Sequence, residues 1–159
     1  MRRDSFTGRA ASAFAVFAVF LMMLALVASA SAANFEATTT ADTEGGTCGT
    51  SCSLRQAIEA ANVASGSNTV IVPAGTYKLT HGPLLPEPAV GATETIVGEG
   101  FFAGATAITA ERESEVMRVG AFAGGGTTEL RYLDIAGGKT GKYPEEANGD
   151  GGGIYVYGK

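Results

Sequence analysis

The sequence has no tryptophan, a single histidine and two cysteines, and charged side chains make up only 17% of its 159 residues. With His81 the lone histidine, a zinc site built on the cysteines would lack a fourth ligand unless a carboxylate supplied it. Positive charge is scarcer still. Setting aside Arg2, Arg3, Arg9 and Asp4 leaves 8 basic and 15 acidic side chains, a net charge of −7 against −5 for the whole chain. A negative body repels phosphate backbones at long range, so no nucleic-acid partner is expected. After Ala33 no apolar run reaches 18 residues, which excludes a membrane-spanning helix there, and no N-x-S/T sequon is present. Glycine, by contrast, is abundant: 22 of the 126 residues after Ala33, more than twice the usual ~7%. With 45% apolar residues the chain can bury a core, but it is built from turns and short elements.

The first 33 residues stand apart. Arg2, Arg3 and Arg9 precede an uncharged apolar stretch over residues 13–27, AFAVFAVFLMMLALV, and the small-residue string ASASAA follows. A basic flank, an apolar block of this length and an A-x-A exit describe a secretory signal peptide. Ala28-Ser29-Ala30 and Ala30-Ser31-Ala32 both qualify as exits, so cleavage is expected between Ala30 and Asn34. The alternative is an uncleaved anchor, since residues 10–33 carry no charge and are long enough to span a bilayer. The short central block and the Ala/Ser exit favour cleavage, and with it a secreted or cell-surface location.

Export governs how Cys48 and Cys52 are read. Their three-residue spacing is neither a C-x-x-C redox pair nor a common zinc half-site. An oxidising compartment favours a bridge between them, with a metal site or free thiols as the other readings. Closing so small a loop contributes only about 2 kcal/mol, so the bridge pins a turn. Directly after it, Ser53 and Gln56 form an S-x-x-Q capping box, and Leu54, Ala57, Ile58 and Ala61 fall on one helical stripe. The spacing predicts a helix of about ten residues that ends at Ser65-Gly66-Ser67-Asn68, with Arg55 and Glu59 as an exposed intrahelical pair.

Beyond Asn68 the pattern is short strands: 69–72, 76–80, 95–97, 106–108, 116–119, 130–135 and 154–157, divided by glycine-rich turns. One helix followed by short strands suits a sandwich, a barrel or a solenoid, and spacing alone leaves the three open.

More specific are the residues themselves. TTTADT over 38–43, the cysteine pair leading into CSLRQAI over 52–58, IVPAGTY over 71–77, and the later IVGEG, DIAGG and GGGIYV together resemble the CSLREA-motif family of secreted and surface proteins, with Gln56 where that family usually has Glu. The resemblance covers essentially all of residues 35–157. It implies an all-β fold, a right-handed parallel β-helix (a solenoid) whose N-terminal end is covered by the short capping α-helix. The expected organisation is a signal peptide over 1–33, a cap with the Cys48–Cys52 bridge over 34–68, and the first coils over 69–159. Because GGGIYV tends to lie mid-solenoid, the chain is expected to be a truncated, N-terminal portion with an exposed C-terminal edge through which copies could self-associate.

Several motifs invite a catalytic reading and fail on their own terms. Gly98-Glu99-Gly100 begins a G-x-G-x-x-A match, but a dinucleotide fingerprint must open a helix, and the sequence after Ala103 is strand-like. Gly138-Lys139-Thr140 lacks the first glycine of a P-loop, because Leu133 occupies its place. Residues 146–151 resemble half of an EF-hand loop, yet Tyr157 stands where the bidentate carboxylate belongs. Glu111, Glu113 and Glu115 alternate and would share one face of a strand, although an acidic turn is the simpler expectation. Stacked strands could bring Asp134 near Asp150, but no Asp-Asp pair of the polygalacturonase kind occurs, and His81 has no evident partner. No catalytic, cofactor or metal residue is therefore assigned, and no cofactor is expected. The leading expectation is a surface scaffold or adhesin-like protein that meets a carbohydrate or another cell-surface ligand. Its rival is a carbohydrate-active enzyme, a lyase or hydrolase of acidic polysaccharide.

Overall fold

The computed structural model describes residues 31–45, 47–100, 102, 104–111, 114–120, 125–139 and 152–156. Residues 1–30 of the expected signal peptide over 1–33, and the calcium-loop reading over 146–151, lie outside them. Among the described residues one helix, α1 (Leu54–Val63), accompanies nine short strands: β1 (Asn34–Glu36), β2 (Asn68–Val72), β3 (Gly75–Lys78), β4 (Thr93–Gly98), β5 (Thr106–Thr109), β6 (Met117–Val119), β7 (Thr127–Arg131), β8 (Asp134–Ala136) and β9 (Ile154–Val156).

Every pairing is parallel, and the strands form three separate sheets, β1-β2-β4-β7, β3-β5-β8 and β6-β9. This corrects the expected right-handed β-helix. A solenoid of repeating coils needs each turn to add one strand to every sheet at a constant step. Here the first sheet has four strands, the second three and the third two. The step is uneven as well: Thr69 pairs with Thr95 and Thr95 with Glu129, while Met117 pairs with Ile154. The connecting turns differ in length, so no fixed repeat emerges, and short sheets of unequal size result. Two strand expectations change with it. The predicted strand over 130–135 is broken at Tyr132, whose φ of 55° no strand accommodates, and β7 and β8 on either side join different sheets. Asn34–Glu36, without a β-branched residue, adds an unforeseen strand to the edge of the first sheet.

Parallel register places like on like. Phe35, Val70, Ile96 and Leu130 stack across the first sheet, Tyr77, Ile108 and Ile135 across the second, and Met117 with Ile154 across the third, where Leu84 bridges to Met117. These three inward rows make one core with Leu54, Ala57, Ile58 and Ala61 of α1. Each fully buried aliphatic side chain contributes roughly 1.5–3 kcal/mol.

The start of α1 is tied down at several points. Cys48 and Cys52 form a disulfide with Cα atoms 4.7 Å apart. Ser53 Oγ accepts from the Gln56 backbone N–H at 3.2 Å, and Gln56 Oε1 accepts from the Ser53 N–H at 3.0 Å, so both arms of the capping box are present. The expected Arg55–Glu59 surface pair does not form. Arg55 is only 7% exposed and turns inward, whereas Glu59 stays at the surface. Arg55 Nε and Nη2 donate to the two oxygens of Asp42 at 2.8 and 3.1 Å, and Nη1 and Nη2 donate to the carbonyls of Pro83 and Gly82 at 2.9 and 2.7 Å. Asp42 Oδ2 also accepts from the backbone N–H groups of Thr80 and His81 at 2.7 and 3.0 Å. Burial pushes the Asp42 carboxyl up, but the hydrogen bonds from Arg55, Thr80 and His81 and the Arg55 charge outweigh it and hold the group below the usual carboxylate range.

A carboxylate whose folded pKa is depressed stabilises the fold above its unfolded value, and that stability is lost as pH falls through the folded one. Asp42→Ala should cost about 3–5 kcal/mol, because it leaves a buried guanidinium without its counter-charge. Urea denaturation at neutral pH measures this; a loss below about 1 kcal/mol would show the pair to be an ordinary surface bridge.

Candidate functional site

Strand alternation divides the first sheet into an inner and an outer side. The residues neighbouring the buried row point outward: Thr69 and Ile71 on β2, Thr95 and Val97 on β4, Glu129 and Arg131 on β7. In register, Thr69, Thr95 and Glu129 form one outer row, and Glu36, Ile71, Val97 and Arg131 form the next. Arg131 Nε and Nη2 donate to Glu129 Oε1 at 2.9 and 2.7 Å. Thr95 Oγ1 donates to the other Glu129 oxygen at 3.4 Å.

Where β2 and β4 end, this face sinks into a groove of about 390 Å³ lined by Thr69, Ile71, Val97, Gly98, Glu99, Gly100 and Tyr132. The Tyr132 side chain lies at the surface, the residue 71% exposed. It is presented there by the left-handed corner that carries the chain from β7 to β8. Gly98 makes the corner feasible, since a Cβ at that position would run into the Tyr132 carbonyl oxygen and lie 2.9 Å from Thr106 Cβ. The Gly-Glu-Gly segment is thus a point of close chain passage. It leads through a turn into β5, not into a helix, as a dinucleotide site would require.

The acidic residues singled out in the sequence are not brought together. Residues 111 and 114–116 lie outside the strands, so the alternation over 111–115 does not create a common face. Glu111 is exposed and pairs with Lys78 at 2.6 Å, whereas Glu115 is buried and pairs with Arg118 at 2.8 Å. Glu113 and Asp150 lie outside the described residues; Asp134 sits exposed on β8. His81 does have partners: its backbone N–H donates to Asp42, and its Nδ1 lies 3.7 Å from a Glu44 carboxylate oxygen. Among the described residues no group of three or more His, Cys, Asp or Glu could hold a metal ion, and no helix is long and apolar enough to cross a membrane.

Sequence reasoning missed Glu94. Its inward direction follows from simple alternation with Ile96, yet the expected strand began one residue later. Glu94 lies between Asn68 and Thr128 on an inner rung of the first sheet, 1% exposed, and neither carboxyl oxygen has a hydrogen-bond partner. Asn68 on the same rung is fully engaged, donating to the carbonyls of Ala61, Ala64 and Gly66 and accepting from the Ala33 N–H. Burial alone pushes the Glu94 carboxyl from 4.5 up to about 7.

No family model, curated protein or solved structure matches this chain.

Glu94 sets a pH dependence of definite sign. Its folded pKa is raised, so the fold carries no penalty below the unfolded value near 4.5, and the penalty grows as pH rises, levelling off above about 7. Across that window the loss is about 3 kcal/mol. Denaturant unfolding at pH 5 and pH 8 should show it for the native sequence, and Glu94→Gln should remove most of the difference. An equal pH slope in the variant would assign the effect elsewhere.

Proposed function

We propose that this chain works outside the cytoplasm as a secreted or cell-surface scaffold, which displays a ligand-binding sheet face and performs no catalysis in this segment. The disulfide suits an oxidising environment, and the CSLRQAI block at the head of α1 points to surface proteins of the kind it resembles.

The observation that carries the reading is the groove beside Tyr132. Ile71 and Val97 give it an apolar floor, and Glu99 is the one carboxylate among its lining residues. Hydrolysis of a glycosidic bond ordinarily takes two carboxyl groups flanking the scissile bond, roughly 5–10 Å apart. Four carboxylates elsewhere in the described residues are held in ion pairs: Asp42 with Arg55, Glu111 with Lys78, Glu115 with Arg118 and Glu129 with Arg131. Such a surface can bind without reacting.

Two measurements on the natively secreted protein test this. Its intact mass should correspond to a chain starting near Asn34 and should rise by two hydrogens on reduction of the Cys48–Cys52 bridge. Incubated with pectins and alginates, the same sample should release no shortened products. Depolymerisation that is lost on chelation would replace the scaffold reading with an enzymatic one.

A further inference from the structure

We propose that the groove beside Tyr132 receives a lysine or arginine side chain carried on an extended segment of a partner protein. This rests on the reading of the sheet face as a binding surface, and adds the chemistry of what it binds. A long basic side chain has two parts, an apolar stem and a charged head, and the groove offers a separate surface to each. Ile71 and Val97 are among its lining residues, so methylene groups can lie against apolar side chains. The exposed ring of Tyr132 stands beside them, and an aromatic face attracts a cation placed over it.

Charge decides between this ligand and a neutral one. Glu99 lines the groove, and Glu36 lies one strand over from Ile71 on the same outer row. Neither carboxylate has an ion-pair partner among the described residues. The nearby cation in that row, Arg131, is already held by Glu129. Once that pair is cancelled, two carboxylates remain on this part of the face. Both charges also reach the buried Tyr77: after burial, Glu99 and then Glu36 raise its phenol above the ordinary value. The net charge of −7 after Ala33 adds a long-range pull on basic partners and speeds their encounter. A neutral glycan could stack on Tyr132 and donate a hydroxyl hydrogen bond to Glu99, but it gains nothing from the net negative charge, and an acidic polysaccharide would be repelled.

Isothermal titration of the full secreted chain with an oligolysine peptide tests the assignment. The comparison ligands are the same peptide with acetylated side chains and a neutral gluco-oligosaccharide. Oligolysine should bind, and its acetylated form should not. Glu99→Gln and Tyr132→Ala should each weaken oligolysine binding by about fivefold. Glu87→Gln, which removes an equal charge at an exposed position outside the groove, should change it less than twofold. Both Glu99 and Tyr132 are exposed or partly so at a strand end, and matching thermal melts of the variants would confirm that they fold. Equal weakening by Glu87→Gln would mean diffuse attraction to an acidic body and overturn the site. So would gluco-oligosaccharide binding that survives Glu99→Gln, or no binding of oligolysine at all. Those outcomes would leave export and the lack of depolymerisation intact, whereas polysaccharide cleavage would remove the scaffold reading itself.

Discussion

One carboxylate, Asp42, gathers the N-terminal half of the fold. Its two oxygens take two nitrogens of the Arg55 guanidinium and two backbone N–H groups from residues 80 and 81, while the same guanidinium reaches the carbonyls of residues 82 and 83. The clasp therefore joins the segment before the disulfide, the first turn of α1 and the loop after β3. Charges removed from water are tolerated only when every donor and acceptor is met, which makes this arrangement all-or-none. The disulfide and the capping box act beside it, ordering a few residues each. The Asp42–Arg55 pair is what sets the helix against the sheets, and α1 in turn packs on β1 and β2.

The parts of this architecture that were legible in the sequence are those encoded locally. The α1 stripe, its capping box and the β-branched run at 69–72 needed only neighbouring residues to be recognised. What escaped depends on distant ones. Arg55 sits at a helical position that usually faces solvent, and only a carboxylate 13 residues earlier draws it in. Residues 130–135 read as one short strand between glycine-rich turns, whereas the structure breaks the strand at a left-handed Tyr132. The groove could not be foreseen either, since β2, β4 and Tyr132 meet only once sheet pairing is known. The grouping of strands into three unequal sheets, in place of the expected solenoid, likewise turns on loop lengths whose consequences no local pattern reports.

The inner rungs of the first sheet show two ways of handling polarity inside a core. Asn68 gives all of its amide hydrogen-bonding capacity to backbone groups around the end of α1 and the start of β1, and so replaces water at a place where the chain changes direction. Its register neighbour Glu94 has no such engagement, and burial shifts its carboxyl toward the protonated form. A neutral carboxyl asks far less of its surroundings than a buried charge does. Asp42 and Glu94 therefore respond to acid in opposite directions, and the conditions that suit one group strain the other.

Parallel pairing, residue against residue, also determines where this chain can change in length. One residue inserted within β4 would exchange its two faces, turning Glu94 and Ile96 out to solvent and carrying Thr95 and Val97 into the core, and the neighbouring rows on β2 and β7 would lose their partners together. The same residue added to the turn between β4 and β5 would leave every ladder in place. Growth is thus confined to the corners. Tyr132 and Glu99 stand at such corners, so the groove can be reshaped without disturbing the strands that carry it.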